Sequence, residues 1–155
     1  ATVSVLLAEV PRSVVASPAL LARFPAVNTP DDLQHLPWIA ISSFYQRHVE
    51  LFHEATPTPA RVTITPRLST DSLYVARNTA LTGLGVAVVS SWTVQDDIRE
   101  GRLVHLLPEW QPAALPVHLV YPWSRYYPAR LRRFLELMRQ IMPEVTGMRK
   151  PLQQP

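Results

Sequence analysis

Short apolar stretches alternate with stretches of helical period along this chain of 155 residues. Apolar residues at every second position, or in short continuous runs, predict strands, and apolar residues three and four positions apart predict helices. Strands are predicted at 4–9, 12–16, 38–41, 61–65, 86–89, 102–107 and 117–121, where the first two are either separate strands or one long strand bent at Pro11. Helices are predicted at 19–24, 30–36, 73–84, 92–98 and from 128, while 44–54 fits either type. This alternation predicts an α/β fold, a sheet with helices packed against it.

The stretch 67–90 carries the clearest sequence signal for a ligand site. Ser69, Thr70 and Asp71 are good N-cap residues, because their side-chain oxygens accept hydrogen bonds from the free N–H groups of a first helical turn. Gly83 and Gly85 can supply the positive φ that ends a helix. The free N–H groups at a helix start also suit an anionic or polar ligand. Two interpretations remain open: these hydroxyls cap the helix, or they hold a ligand.

Other polar residues share this position directly after a predicted strand. In α/β folds, ligands collect at the carboxyl ends of strands, where helices begin. If the predicted strands all end at one edge of the sheet, these polar side chains are candidates for a common cleft. The candidate ligand-binding residues are Ser17, Ser42, Ser43, Ser69, Thr70 and Asp71.

Composition narrows the class of protein. A chain of this length with 47% hydrophobic and 17% charged residues builds one globular core, and no apolar run is long enough to span a bilayer. The absence of Cys excludes disulfides and thiolate chemistry and fits a reducing compartment, so we expect a cytoplasmic protein. The sequence begins without Met and abruptly in a strand pattern, which predicts a piece of a longer protein.

Charge does not indicate a DNA-binding surface. The net charge is +3, and the basic residues are scattered except around 125–139, where a solvated helix face explains them. All basic residues except Lys150 are Arg, and with 16 Pro this is typical of a GC-rich bacterial genome. We therefore expect no direct contact between this chain and nucleic acid.

No pattern of a catalytic or metal site is present in the sequence. It contains neither a nucleophile elbow nor a phosphate-binding or dinucleotide-binding glycine motif. His48 and His53 are five residues apart, which is not the spacing of a metal pair on one helix face. The acidic pairs at 31–32 and 96–97 are assigned to helix first turns, where the helix dipole favours them. We expect no enzyme, no metal and no cofactor.

Several stretches, in this order and spacing, resemble LysR-type transcriptional regulators. They are VVASPALLAR at 14–23, TPDDLQH at 29–35, the stretch 67–90, DDIREGRLV at 96–104, and VHLVYP at 117–122 followed by an amphipathic helix. The resemblance covers roughly residues 5 to 143. It implies a periplasmic-binding-protein-like (type II) effector domain, in which two α/β subdomains enclose an inducer cleft.

The resemblance also implies a division of the chain. Residues 1–36 would be the remnant of subdomain I, 37–122 the complete subdomain II, 123–145 the returning helix of subdomain I, and 146–155 a flexible tail. Subdomain I would then be partial, and no DNA-binding domain would be present in this chain.

The resemblance further implies a set of partners and functional residues. The effector would be a small polar or anionic metabolite, held by Ser17 and by Ser69 or Thr70 with Asp71, while Ser42 and Ser43 are added from their place after a strand. The regulator would be a dimer or tetramer and would contact DNA only through a helix-turn-helix domain. A solute-binding protein of the same fold, serving transport, is the alternative. It would need an export signal, which is absent here but which a mature or trimmed chain would not show.

Overall fold

The computed structural model describes residues 1–152, which form two compact units. The larger unit is 12–113, and the smaller one combines 1–11 with the described residues from 114 onward. Their strands and helices, in chain order, are β1 (Thr2–Val10), β2 (Arg12–Ala16), α1 (Pro18–Leu21), a 3₁₀ helix (Pro30–His35), β3 (Trp38–Ile41), β4 (His48–Phe52), β5 (Ala60–Thr63), β6 (Pro66–Thr70), α2 (Leu73–Leu81), β7 (Ala87–Ser90), α3 (Ser91–Arg99), β8 (Val104–His105), β9 (Gln111–Pro112), β10 (Leu115–Pro122), α4 (Ala129–Ile141) and a 3₁₀ turn (Met142–Glu144).

The main sheet of the larger unit has the strand order β6-β3-β7-β2-β8. Strands β6 and β3 are parallel, and a parallel bridge between Trp38 and Val86 joins β3 to β7. Strand β2 is antiparallel to both of its neighbours, β7 and β8. One strand therefore runs against the direction of the other four, and this decides which polar residues share an edge.

The core of the larger unit is closed and apolar. Val14 to Ala16, β3 and β7 contribute side chains with almost no exposed surface, because these strands are covered on both faces. Trp38 lies at the centre, and its Nε1 donates to the Leu33 carbonyl at 2.8 Å. The Tyr45 hydroxyl donates to the Ile39 carbonyl and accepts from the Val88 N–H, so it joins β3 to β7. Burial raises the pKa of this hydroxyl to about 12.

A second, smaller sheet belongs to the same unit. Its order is β5-β4-β9, all antiparallel, and β4 alternates exposed and buried residues as expected for a strand with one face on the core. The ambiguous segment 44–54 is therefore a strand at 48–52. Val49 and Leu51 are two positions apart and both buried, which is the period of a strand and not of a helix.

The smaller unit consists of the antiparallel pair β1–β10 and the helix α4. Helix α4 is amphipathic as predicted, but only Leu135 is buried, whereas Phe134, Leu137 and Ile141 remain at least two-fifths exposed. A two-stranded sheet with one helix buries little apolar surface, which explains the exposure.

The C-terminal segment, for which a flexible tail is predicted, contacts β1 through Arg149. Arg149 exchanges backbone hydrogen bonds of 3.0 and 2.9 Å with Glu9, and its Nε lies 2.7 Å from the Glu9 carboxylate. Residues 146–152 are therefore docked through Arg149, while 153–155 lie outside the described residues.

The two compact units have their own boundaries, and the predicted subdomain division at 36/37 and 122/123 stays a prediction. Strand β2 pairs with β7, and its Val14, Val15 and Ala16 are part of the larger unit's core, so this unit begins at Arg12. Strand β10 pairs with β1, so 115–122 belongs to the smaller unit. Pairing across the sheet decides these boundaries, and the sequence order of the elements does not reveal it.

Candidate functional site

The carboxyl ends of β3, β6 and β7 lie along one edge of the main sheet, the carboxyl edge. These strands run in the same direction and end at Ile41, Thr70 and Ser90. Because β2 is antiparallel, its first residues, Arg12 and Ser13, lie at this same edge, with Arg12 opposite Ser90. Helices α2 and α3 both begin here, so their free N–H groups face the edge where ligands collect in such sheets.

Ser42 and Thr70 lie side by side at the carboxyl edge. The Ser42 N–H donates to the Thr70 carbonyl at 2.8 Å, and the Ser42 hydroxyl donates to the same oxygen at 3.3 Å. The Thr70 Oγ1 accepts from the Ser72 N–H at 3.1 Å, which leaves its own hydroxyl proton free to donate. Two candidate residues that are 28 positions apart in the sequence are thus brought together by the parallel pairing of β3 and β6.

The start of α2 differs from the prediction. Residues 66–70 form strand β6, and the N-cap of α2 is Ser72, whose Oγ accepts from the Val75 N–H. None of Ser69, Thr70 and Asp71 is the N-cap. A short run of hydroxyl residues fits either a cap or an edge strand, and pairing with β3 selects the strand.

The three predicted residues before α2 differ in environment. Ser69 is exposed, like Arg67, and alternates with the half-buried Leu68 and Thr70, so it lies on the outer face of β6. Asp71 is exposed at the carboxyl edge. Across residues 1–152, neither Asp71 nor the likewise exposed Ser43 makes a side-chain hydrogen bond, so both are available to a ligand.

Ser17 does not join the other candidates. It follows β2, whose direction is reversed, and therefore lies at the opposite edge of the sheet, the amino edge. Its Oγ accepts from the Leu20 N–H at 3.1 Å, as a cap of α1, and its side chain is buried. The same oxygen would be 3.2 Å from a Cβ at Gly83, which follows the C-terminal end of α2. Since nine-residue α2 is about 14 Å long, Ser17 is far from the α2 start.

The structure adds polar residues that sequence reasoning missed. Ser13 and Ser91 share a hydrogen bond of 2.7 Å between their hydroxyls, and the Arg12 Nε donates to the Ala113 carbonyl at 2.8 Å. Ser91 comes directly after strand β7, so the strand-end rule that selects the other serines as candidates also applies to it. Ser13 and Arg12 begin a strand, and only the reversed direction of β2, which the sequence does not show, places them here.

Asp97 is fully buried in the last turn of α3, not in a helix first turn as predicted. Arg77 approaches it at 2.7 Å and Arg102 at 2.9 Å, and its backbone carbonyl accepts from the N–H groups of Arg102 and Leu103. Although burial opposes the charged form, the hydrogen bonds from the two arginines keep the pKa of Asp97 below its usual range. All of its oxygens have partners, so Asp97 holds α2, α3 and the following turn together and is not a ligand group.

Within residues 1–152, no group of three or more His, Cys, Asp or Glu residues is arranged to hold a metal ion. None of the helices described in that range has both the length and the apolar character needed to cross a bilayer. The polar groups that the carboxyl edge offers are hydroxyls, one carboxylate, backbone N–H groups and a guanidinium. They suit recognition of a small polar molecule through hydrogen bonds.

Comparison with known families and proteins gives a consistent result. Residues 1–143 match the family described as the LysR substrate binding domain. The chain is 35% identical, over 126 residues, to the HTH-type transcriptional regulator PtxR of Pseudomonas aeruginosa, a match that covers 81% of this chain and 40% of PtxR. It is 28% identical to the iron-regulated virulence regulatory protein IrgB of Vibrio cholerae, covering 83% of this chain and 44% of IrgB.

Solved structures show the same likeness. The full-length Vibrio cholerae virulence activator AphB, a member of the LTTR protein family, superposes with a TM-score of 0.70 at 18% identity, covering 90% of this chain and 47% of AphB. The regulatory domain of CrgA from Neisseria meningitidis gives a TM-score of 0.61 at 26% identity, covering 90% of this chain and 68% of that domain. The chain thus spans under half the length of the two relatives compared above.

Proposed function

Because the chain belongs to the LysR substrate-binding-domain family, we propose that it is the effector-sensing part of a LysR-type transcriptional regulator. The family match confirms the resemblance indicated by the sequence motifs, and the likeness to solved regulatory domains confirms the predicted α/β, periplasmic-binding-protein-like (type II) fold. PtxR and IrgB carry regulatory names, so the transport alternative gains no support.

One observation carries the proposal for the binding site: Ser42 and Thr70 lie in contact at the carboxyl edge. Beside them, Ser43 and Asp71 are exposed and make no side-chain hydrogen bond within residues 1–152. We propose that these four residues, with the N–H groups at the start of α2, bind a small polar or anionic metabolite. The placement of Ser69 on the outer face and of Ser17 at the amino edge removes both from the site that we propose.

The remaining features of the regulator are proposals that rest on the family. Residues 12–113 would act as the complete effector subdomain, and the smaller unit as part of the other. The regulator would contain a helix-turn-helix domain that contacts DNA, would form dimers or tetramers, would act in the cytoplasm and would not be an enzyme. The scattered surface charge of this chain agrees with DNA contact through another domain.

The coding sequence upstream of Ala1 tests the regulatory role directly. We expect it to encode a helix-turn-helix domain in frame with this chain. An export signal in its place would contradict the proposal and favour a transported-solute binding protein.

A thermal-shift screen of small organic acids and polyols identifies the effector. We expect one compound class to raise the unfolding temperature in a concentration-dependent manner. A binder whose affinity is unchanged by both Thr70→Val and Ser42→Ala would contradict the site at the carboxyl edge.

A further inference from the structure

We propose that a cavity at the amino edge of the main sheet, the amino-edge cavity, binds a small phosphate monoester. It lies between α1, the start of β6 and the end of α2, and its volume is about 370 Å³. Its lining residues include Ala19, Leu20, Arg23, Arg67, Gly83 and Leu84. None of the four residues proposed for the effector site lines it, so the inference goes beyond the proposed function and does not depend on it.

Two arginines give the amino-edge cavity its charge. Arg23 and Arg67 both line it, and no acidic residue is among its lining residues. Within residues 1–152, neither guanidinium lies within 4 Å of a carboxylate. Two positive charges that line one cavity without an ionic partner repel each other, and a bound anion offsets both.

Arg23 is already oriented for such a contact. Its Nη2 donates to the Gly83 carbonyl at 2.9 Å, which fixes the side chain against the end of α2. Its Nε and Nη1 make no hydrogen bond within residues 1–152, and the exposed Arg67 side chain makes none in that range either. A guanidinium that is fixed before binding loses little conformational freedom when a ligand arrives, and its remaining N–H groups can donate to it.

The pair of guanidinium groups favours a doubly charged ligand. A phosphate monoester carries close to two negative charges at neutral pH and offers three acceptor oxygens, which the planar forks of two arginines match with parallel hydrogen bonds.

The C-terminal end of α2 carries a partial negative charge, which opposes an anion. Two of its carbonyl groups are already paired, however. Arg23 donates to the Gly83 carbonyl, and the Thr82 hydroxyl donates to the Thr79 carbonyl at 2.6 Å. The two arginines therefore determine the sign of the charge in the cavity.

The remaining lining residues indicate the organic part of the ligand. Ala19, Leu20 and Leu84 add apolar surface to the cavity, and Leu84 is 38% exposed. The volume lies at the lower end for ligand cavities, which limits the ligand to a small molecule. A phosphate group attached to a small apolar body fits both the charge and the lining.

Calorimetric titration of the 155-residue chain tests this inference without knowledge of the natural ligand. The probe is phenyl phosphate, with benzoate as a singly charged control and phenol as a neutral one. We expect phenyl phosphate to bind about ten-fold more tightly than benzoate, because a second charged group gains its own hydrogen bonds, and phenol to show no binding. No binding of phenyl phosphate, or equal binding of phenyl phosphate and benzoate, would overturn the inference.

Variants of single arginines assign the effect to the cavity. Arg67→Gln should weaken phenyl phosphate binding about ten-fold, and it should fold, because this side chain is exposed and makes no hydrogen bond within residues 1–152. Arg47→Gln makes the same change of charge at an exposed position of the same unit outside the cavity and should leave the affinity unchanged. Equal losses in the two variants would reduce the effect to net charge and overturn the inference.

A charge added at Leu84 tests the same cavity with both arginines in place. Leu84→Glu puts a carboxylate beside the two guanidinium groups, where it competes with the ligand, and Leu84→Gln has nearly the same shape without the charge. We expect phenyl phosphate to bind about ten-fold more weakly to Leu84→Glu than to Leu84→Gln. Equal affinity of the two variants would contradict the placement of the ligand in this cavity.

The variant Thr70→Val separates this inference from the proposed effector site. Arg67 and Thr70 are three residues apart on β6, about 10 Å along the strand, so Thr70→Val should not alter phenyl phosphate binding. A loss in Thr70→Val together with unchanged binding in Arg67→Gln would place the phosphate at the carboxyl edge and overturn the inference. Failure here and failure of the proposed effector site therefore give different results.

Discussion

The polar side chains at the two edges of the main sheet differ in their hydrogen bonding. At the amino edge the Ser17 hydroxyl accepts from the Leu20 N–H, and Arg23 donates to the Gly83 carbonyl. At the carboxyl edge Ser43 and Asp71 are exposed and, within residues 1–152, make no side-chain hydrogen bond. The two hydroxyl and guanidinium groups of the amino edge are thus held by the protein itself, whereas Ser43 and Asp71 are exposed, as the site that we propose requires.

Strand direction is the physical cause of this difference. Helices α2 and α3 start after β6 and β7, so their unpaired N–H groups point toward the carboxyl edge. Helix α2 ends at the amino edge, where Gly83, with a φ of +81°, terminates it. Substitutions should accordingly change stability at one edge and effector affinity at the other.

The largest effect on stability is expected from Asp97→Asn. The variant removes the charge that two arginines surround and should lower the free energy of unfolding by about 2–3 kcal/mol, less than for a fully buried pair because Arg77 is 29% exposed. Urea unfolding measures the loss. Asp96→Asn is the matched control, because its pair with Arg99 is exposed and should contribute little.

The same pair of variants should also differ in acid. The folded-state pKa of Asp97 lies below its usual value, so its contribution to stability is present above about pH 4 and is lost as pH falls through the folded pKa. Asp97→Asn should flatten the decline in stability in this range, whereas Asp96→Asn should keep it. A parallel decline in wild type and Asp97→Asn would contradict this assignment.

The next effect is expected from Gly83→Ala, with a loss of about 1–2 kcal/mol. The new Cβ would combine a positive φ with a contact of 3.2 Å to the Ser17 Oγ. Gly101→Ala shares the positive φ, +76°, but its Cβ meets no atom within 4 Å. Thermal unfolding should therefore show a smaller loss for Gly101→Ala, and equal losses would mean that the Ser17 contact contributes nothing.

A smaller loss of about 1 kcal/mol is expected from Ser17→Ala, because it removes the cap of α1. Ser17→Thr, which keeps the hydroxyl, should recover part of the stability measured by urea unfolding. A Ser17→Ala variant of unchanged stability but lost effector binding would reverse the roles that we assign to the two edges.

Several elements of this fold are predictable from neighbouring residues alone. The Ser17-Pro18 helix start, the buried strand at Trp38 and the helix end at Gly83 all follow from neighbouring residues. Strand β6 is not predictable in this way, because hydroxyl residues before a helix also fit a helix cap. Its pairing with β3, 28 residues away in sequence, selects the strand over the cap.

The site was only partly predictable for a related reason. The strand-end rule correctly brings Ser42 and Thr70 together, since β3 and β6 are parallel. It fails for Ser17, and it overlooks Arg12 and Ser13, because β2 runs in the opposite direction. Strand direction depends on the path of the whole chain, and the local signals of periodicity and capping do not encode that path.

Effector binding by the variants Thr70→Val and Ser17→Ala distinguishes the two edges most directly. The titration uses the compound identified by thermal-shift screening and variants shown to be folded. We predict that Thr70→Val weakens binding about five- to ten-fold through the loss of one hydroxyl donor, while Ser17→Ala leaves the affinity unchanged. Unchanged affinity in Thr70→Val, or a loss confined to Ser17→Ala, would contradict the assignment of effector binding to the carboxyl edge.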